Sequence, residues 1–312
     1  MRAWFSEFAQ RHDLADLELQ AQVDKQYFFS NLEIIYRQVF EQPIHKVIVS
    51  SQKHFKNKIL REPKLVNKGV HVFRYVFAKY AHTHNADKQF VENGKKIIHN
   101  YLDAETFAEV KQHVETFPIK ESRSDINTIS AQSGSVKKFI TNPDFIKLIS
   151  MCAGVSTDVG NQLINREAFV QRLHNKNEDG DIQKNIHLDT FFPAVKFFYF
   201  TDKVNAEHGP FRLQTNNNIT ESYIQWLYHQ SQLLVADTWD KSRGKPHFEG
   251  SFRIKENELK QLGITVDNIT VPANTLIIAN VGLFHARGEA NSSHVRNSIH
   301  GGCRTDNPFE IL

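Results

Sequence analysis

From about residue 169 onward, apolar and aromatic residues occur in short runs that Gly, Pro and Asn interrupt. Four of these runs are 169–174, 194–200, 274–279 and 297–302. Runs of this length between turn-forming residues predict β-strands. The segment 221–235 predicts a helix and 237–251 a polar loop, so an insertion divides the strands, and such insertions often border a binding site. The C-terminal half is therefore predicted to contain a β-rich core.

The first half of the chain has a different pattern, with apolar residues at mixed spacings of three and four and few glycines. This pattern predicts that residues 1–90 form a mostly helical extension. A short strand is predicted over 95–102. Helices are predicted over 103–115, where Asp103 suits a helix start, and over 142–152, where Pro143 lies near the first turn. We expect a main domain over 91–312, with the helices packed outside its strands.

The composition is compatible with a large folded core and indicates the cellular compartment in which the protein is expected. The chain has 312 residues, of which 40% are hydrophobic, and this is enough for a sizeable core. Its two cysteines, Cys152 and Cys303, cannot supply a disulfide framework or a Cys-rich zinc site. No apolar run reaches the roughly 18 residues that a membrane span needs. We therefore expect a cytoplasmic protein without a transmembrane segment.

Charge is unevenly distributed, although the net charge is only +3. Residues 43–88 carry ten Lys or Arg against two Asp or Glu. A basic stretch such as 46–88 attracts nucleic acid or anionic lipid in some proteins, and in more of them it is the solvated face of helices. The aromatic residues interleaved there fit the apolar faces of amphipathic helices. Both interpretations stay open at this point.

Candidate metal ligands occur in the β-rich half. His187 and Asp189 are separated by one residue, so in a strand both side chains project from the same face. His285 follows the predicted strand 274–279, a position from which it can complete a 2-His-1-carboxylate set. That set leaves coordination positions open, which iron(II) needs to hold a bidentate oxo acid together with dioxygen. In a chain with 16 His a lone His-x-Asp pair arises by chance, so further context is required.

Two arginines near the end of the chain supply that context. Arg287 follows His285 by two residues and Arg296 follows it by eleven. A guanidinium deep in a pocket suits the far carboxylate of an oxo acid, because its planar fork makes two charge-assisted hydrogen bonds. The alternative for either arginine is a surface ion pair.

Taken in order along the chain, these features resemble the phytanoyl-CoA dioxygenase family of iron(II)- and 2-oxoglutarate-dependent oxygenases, over roughly residues 91–312. The landmarks are the strand and helix at 95–115, the pair His187 and Asp189, the turn His208-Gly209-Pro210-Phe211, His285, and Arg296. The resemblance implies a mainly β protein with flanking helices and a double-stranded β-helix (jelly-roll, cupin-like) core, chiefly over 169–312. It also implies that the three ligands bind iron(II) and that Arg296 binds 2-oxoglutarate.

The chain departs from the family pattern at several positions. Two residues after the distal histidine the family often has a small hydroxyl residue, where this chain has Arg287. It stays open whether Arg287 contacts 2-oxoglutarate or an anionic substrate. A further 2-oxoglutarate contact falls on His174, for which a core or edge-strand histidine is an equal alternative. The loop after residue 211 differs from the family sequence, so the resemblance does not identify the substrate.

The insertion over 221–251 is predicted to border the substrate opening, because it interrupts the strands shortly after the Gly-Pro turn. Its candidate substrate contacts are Trp226 and Trp239, and Arg172 is a third candidate. Aromatic side chains on a mobile cover often contact substrate.

Together these features predict a dioxygenase that uses iron(II), 2-oxoglutarate and O2 to hydroxylate a small-molecule or lipid-like substrate, with release of succinate and CO2. The presence of Asp189 favours hydroxylation over halogenation, because halogenases that resemble this family have a small residue there. One alternative is the same chemistry on nucleic acid or another macromolecule. Another is a non-catalytic cupin-like protein whose structural metal is also bound by His294 or His300.

Overall fold

Two large antiparallel sheets, with helices against the larger one, form most of the part of the chain that the computed structural model describes. The described residues are 86–119, 127–129, 134–174, 183–189, 194–215, 239–240, 245–246, 252–290 and 294–303. The predicted extension before residue 86, with most of the basic stretch, and the predicted helix 221–235 with Trp226 lie outside them. Within the described ranges, no helix is both long enough and apolar enough to cross a membrane.

Five of the six described helices lie before residue 169. The described helices are α1 (Lys88–Asn93), α2 (Ala104–Thr116), α3 (Ser135–Ile140), α4 (Pro143–Ala153), α5 (Thr157–Glu167) and α6 (Glu256–Gln261). The described strands are β1 (Lys95–His99), β2 (Asn127–Thr128), β3 (Phe169–His174), β4 (His187–Leu188), β5 (Val195–Phe200), β6 (Phe211–Gln214), β7 (Trp239–Asp240), β8 (Lys245–Pro246), β9 (Phe252–Arg253), β10 (Val266–Ile269), β11 (Thr275–Asn280), β12 (His285–Arg287) and β13 (Val295–Cys303). The four strands predicted from the apolar runs correspond to β3, β5, β11 and β13 and are confirmed.

The strand order defines the fold. The larger sheet has the order β1-β11-β5-β13-β3-β2 and the smaller one β10-β6-β12-β4-β9. From β3 onward the chain passes repeatedly between the sheets, because β3, β5, β11 and β13 belong to the larger one and β4, β6, β10 and β12 to the smaller. This is the winding of a double-stranded β-helix, so the predicted fold class is confirmed. The pair β7 and β8 forms a separate two-stranded sheet.

The β-rich core begins earlier in the chain than the apolar runs predict. Strand β1 pairs with β11 and β2 pairs with β3, so residues before 169 supply two strands of the larger sheet. β1 lies at one edge of this sheet and β2 at the other. These strands owe their conformation to the neighbours they pair with more than to their own short sequences.

The helices begin where the sequence offers capping side chains. The Asp103 carboxylate accepts a hydrogen bond from the Thr106 backbone N–H (2.9 Å), and Asn142 caps α4 in the same way. Helices α2 and α4 therefore agree with the predicted segments to within about one residue at each end, as helix boundaries allow. Helix α5 is not among the predicted elements. It begins after Ser156, whose hydroxyl accepts from Val159 N–H (3.4 Å).

The outward face of the larger sheet is the apolar interface with the helices. Alternate residues of a strand point to opposite faces, and Phe197, Tyr199 and Ile299 are fully buried on this one. Phe145 of α4 packs edge-on against Phe197, with ring centroids 5.0 Å apart. Gly301 permits this packing, since a Cβ there would lie 2.3 Å from the Phe197 ring. The opposite face of the same strands is left to line the space between the sheets.

Candidate metal centre

Two histidines lie side by side on neighbouring strands of the smaller sheet. His187 in β4 pairs directly with His285 in β12, and their ring centroids are 4.5 Å apart. Asp189 follows β4, and its Oδ1 lies 3.6 Å from His187 Nε2 and 3.7 Å from His285 Nε2. One ligand atom from each of the three residues lies within 4.8 Å of the other two. The three side chains therefore converge on one point.

Backbone hydrogen bonds determine which imidazole nitrogen faces this point. His187 Nδ1 lies 2.6 Å from the Asn185 carbonyl oxygen, and His285 Nδ1 lies 2.9 Å from the Leu283 carbonyl oxygen. A carbonyl oxygen only accepts hydrogen bonds, so Nδ1 is the protonated donor in both rings. In a neutral imidazole the other nitrogen then carries a lone pair. Both Nε2 lone pairs are thus available beside the Asp189 carboxylate.

The turn between β11 and β12 positions two members of the triad. The Asn280 side-chain oxygen accepts from the Gly282 N–H (2.9 Å) and so closes the turn. The next carbonyl, that of Val281, accepts from the Asp189 N–H (3.1 Å). His285 leaves the same turn at the start of β12. One loop therefore fixes the backbone of the carboxylate ligand and the start of the strand that carries the second histidine.

Burial and neighbouring charges favour the protonation states that metal binding requires. Burial, together with the nearby His285, lowers the pKa of His187 to about 4. Burial raises the pKa of Asp189, but the Lys196 ammonium and His285 together outweigh this effect and hold that pKa well below its ordinary value. His187 is therefore neutral and Asp189 negatively charged near neutral pH.

This donor set suits a divalent first-row metal ion. Imidazole nitrogen and carboxylate oxygen bind such ions at about 2.0–2.2 Å, and three atoms this close together can share one ion. His294 instead stacks on His208 with ring centroids 4.1 Å apart, and His300 Nε2 hydrogen-bonds to the Ser298 hydroxyl (2.7 Å). Among the described residues, the triad is the one group of this kind, and neither His294 nor His300 joins it.

Arg296 lines the same pocket as His187 and His285. Its side chain is buried, and its guanidinium donates to the Gly209 carbonyl (2.6 Å) and to the Gln171 side-chain oxygen (3.1 Å). Gly209 belongs to the turn that the sequence singles out, and its φ of +63° is one that glycine adopts readily. This turn therefore holds the guanidinium in a fixed orientation, as recognition of a carboxylate requires.

Arg287 adds a second cation to this pocket. It lies two residues after His285 on β12, so both side chains project from the same face of the strand. Arg287 is only 8% exposed, and its backbone N–H donates to the Gln183 carbonyl (2.8 Å). The pocket therefore combines a candidate metal site with two buried arginines.

The chain is similar in structure to several proteins of known structure. No family model and no curated protein matches the chain. The epimerase SnoN, in complex with Fe3+, alpha ketoglutarate and nogalamycin RO, is 16% identical over 72% of this chain and 83% of SnoN, with a TM-score of 0.43. HygX from Streptomyces hygroscopicus, with nickel and 2-oxoglutarate bound, is 11% identical over 69% of this chain and 83% of HygX (TM-score 0.40). EctD from S. alaskensis with bound Fe is 12% identical over 72% of this chain and 80% of EctD (TM-score 0.41).

Arg172, a predicted substrate contact, points away from the pocket. It lies on β3 next to Gln171 and therefore on the opposite face of the strand. Its guanidinium donates to the Asn297 side chain (2.9 Å) and to the carbonyls of Glu115 and Phe117 at the end of α2. The predicted role in substrate binding therefore gives way to a structural one, the attachment of α2 to the larger sheet.

The remaining predicted site residues fall at or beyond the limits of the described residues. The backbone of His174 pairs with Val295, and that of Trp239 pairs with Pro246. The side chains of His174 and Trp239, and the whole of Trp226, lie outside what the structure describes. Their predicted roles stay predictions.

Several pocket residues are not among the sequence predictions, namely Lys196, Phe198, Phe200 and Gln183. Lys196 had a signal in the sequence, since it is the one charged residue in the apolar run Val195-Lys196-Phe197-Phe198-Tyr199-Phe200. A partly buried charge inside an otherwise apolar strand needs a partner. The partner is Asp189, whose Oδ2 contacts the lysine ammonium.

Proposed function

We propose that this chain is a non-haem iron(II)- and 2-oxoglutarate-dependent dioxygenase. The observation that supports this most strongly is the convergence of His187, Asp189 and His285 in a pocket that also contains Arg296. A structural metal usually has four protein ligands. Three converging ligands beside buried arginines suit a metal that must also bind an acidic cosubstrate and O2.

The local hydrogen bonds support specific roles for the three ligands. His187 and His285 would bind the ion through Nε2, since each Nδ1 is engaged with a backbone carbonyl. Asp189 would bind through Oδ1, the oxygen near both imidazoles. When bound, iron(II) supplies the redox chemistry that couples conversion of 2-oxoglutarate to succinate and CO2 with oxygenation of a substrate by O2. Because the ligands are already oriented by the backbone, binding needs little rearrangement.

Arg296 is proposed to bind the far carboxylate of 2-oxoglutarate. Its planar guanidinium can make two parallel hydrogen bonds to a carboxylate, and the Gly209 carbonyl and Gln171 hold it in orientation. Arg287 projects into the same pocket and is proposed to bind either the same cosubstrate or an anionic group of the substrate. Two buried guanidiniums favour entry of a dianion into a space that is otherwise costly for charge.

The proposed reaction is hydroxylation of a small-molecule or lipid-like substrate. Phe198 and Phe211 pack with ring centroids 4.6 Å apart, and Phe211 lies 5.9 Å from the His285 ring. These rings place apolar surface beside the metal site, which suits a substrate that presents a C–H bond. The Asp189 carboxylate would occupy the coordination position on the metal that a halide would need. This favours hydroxylation over halogenation.

The experiment is to measure succinate formed from 2-oxoglutarate by the purified full chain, with and without added iron(II), over a panel of candidate substrates. We expect iron-dependent succinate formation, slow without substrate and faster with the correct one. His285→Ala and Asp189→Ala should lose it together with bound metal, because each removes one of three ligands. His99→Ala, which changes a histidine at the end of β1, serves as the matched control. Full iron binding and unchanged succinate formation in His285→Ala would contradict the proposal.

A further inference from the structure

The two oxygens of the Asp189 carboxylate have different neighbours. Oδ1 lies 3.6 Å from His187 Nε2 and 3.7 Å from His285 Nε2. Oδ2 contacts the Lys196 ammonium instead. A lysine ammonium has three donors and no acceptor, so this contact occupies a lone-pair position of Oδ2. One oxygen thus faces the candidate metal position and the other is engaged by a cation.

Lys196 reaches Asp189 from the larger sheet, across the space between the sheets. It lies on β5 opposite Gly302 of β13, and this glycine leaves the lysine without a side-chain neighbour at its paired position. Glu167, the last residue of α5, also lies nearby, since a Cβ at Gly302 would lie 2.2 Å from Glu167 Oε2. Yet the described ion pairs join Glu167 to Arg166, and Lys196 to Asp189. The lysine is therefore directed at the metal-binding carboxylate although another acid is near.

We infer that Lys196 is a positioning residue that holds Asp189 as a monodentate metal ligand, by keeping Oδ2 away from the ion. This inference rests on the proposed function. A carboxylate can bind a metal through one oxygen or through both. If Asp189 used both, it would take one of the positions that 2-oxoglutarate and O2 require. The Lys196 contact prevents this and leaves room for both reactants.

The competing explanation is that Lys196 merely neutralises the partly buried acid. The Lys196 side chain is 37% exposed, against 14% for Asp189, so the pair is partly hydrated. A lysine that merely neutralises the acid would compete with a divalent ion, and its removal would tighten metal binding without changing the coordination. The two explanations therefore differ in the number of solvent molecules that the bound ion retains.

The test uses the full chain loaded with Mn2+, whose effect on solvent-proton relaxation measures the waters that remain on the ion. In the wild type we expect part of this relaxation to persist at saturating 2-oxoglutarate, from the position that O2 would take. In Lys196→Met we expect relaxation about one third lower before 2-oxoglutarate is added, and near background at saturation, as loss of one of three open positions requires. Lys196→Arg keeps a cationic donor and should retain the wild-type behaviour.

Lys111→Met is the matched control, because Lys111 pairs with Asp202 and its side chain is 36% exposed, close to the value for Lys196. It should behave as the wild type. Wild-type relaxation in Lys196→Met would overturn the inference, and so would tighter Mn2+ binding with unchanged relaxation. If the wild type binds no Mn2+ at all, the proposed function fails as well. If Lys196→Met folds poorly, Lys196→Gln provides an uncharged side chain with a polar head for the same comparison.

Discussion

The two faces of β5 and β13 differ in composition although they belong to the same strands. The outward face is mostly apolar, and its residues Phe197 and Ile299 are fully buried against the helices. The inward face carries Lys196, His300 and Arg296, together with aromatic rings. Since strand side chains alternate, each residue lies next in sequence to one with the opposite role. The outward face supplies stability, and the inward face supplies the groups that are proposed to interact with metal and ligand.

This difference shows how the fold can accommodate buried charges. Each guanidinium or ammonium on the inward face requires partners when it is removed from water. Apolar packing on the outward face offsets such costs, and sites of this kind commonly reduce stability. Substitutions on the two faces should therefore separate stability from ligand binding. The following predictions run from the largest expected effect to the smallest.

Neighbouring phenylalanines give the largest contrast. Phe197→Ala should lower the free energy of unfolding by about 3–5 kcal/mol, because it empties a fully buried position against Phe145. Phe198→Ala, on the half-buried inward face, should lower it by about 1–2 kcal/mol. Urea denaturation measures both, and metal content per folded chain should stay at the wild-type value in Phe197→Ala. Equal stability losses would mean that the two faces are not separated as described.

Two arginines on opposite faces sharpen the comparison for ligand binding. Arg296→Ala should weaken 2-oxoglutarate binding by about 2–3 kcal/mol, roughly 30- to 150-fold, through loss of hydrogen bonds to a carboxylate. Arg296→Lys should recover only part of this, because an ammonium lacks the planar fork. Arg172→Ala also removes hydrogen bonds to backbone carbonyls, but on the helix side of the sheet. Anaerobic titration of the metal-loaded chain should show unchanged 2-oxoglutarate affinity for Arg172→Ala. Unchanged affinity in Arg296→Ala would redirect the assignment to Arg287.

Local patterns in the sequence predicted the features that depend on local physics. The four long apolar strands and the capped helices α2 and α4 follow from residue periodicity and side-chain capping, and both agree with the structure. The spacing of His187 and Asp189 likewise indicated a shared face. The pairing of His187 with His285, 98 residues later, depends on strand register. The family resemblance indicated it, and the residue spacing alone did not.

Features that depend on register or on distant partners escaped prediction. Arg172 lies outward because the register of β3 against β13 places Gln171, its neighbour, inward. The run over 169–174 mixes polar and apolar residues on both faces, so its sequence does not reveal which face is inward. The short strands β10 and β12 were also not predicted, because they form by pairing with β6, which lies far from them in the sequence. Lys196 was missed because its partner belongs to the opposite sheet.

The two cysteines test the outward face itself, with the smallest expected effect. Cys152 and Cys303 are both buried in the core between helices and larger sheet, and burial raises the pKa of each thiol to about 12. Neither thiol should react with a thiol reagent at pH 8 while the chain is folded, and both should react after unfolding, since the thiolate is the reactive form.

Because these pKa values lie above the unfolded value of about 8.5, the contribution of the two thiols to stability is complete below that pH and decreases as the pH rises toward 12. Loading the chain with metal should leave the local protection of both thiols unchanged, because they lie on the face opposite the triad. Rapid labelling of one thiol in the folded chain at pH 8 would show that the helix-covered face opens locally and is not the stable side of the sheet.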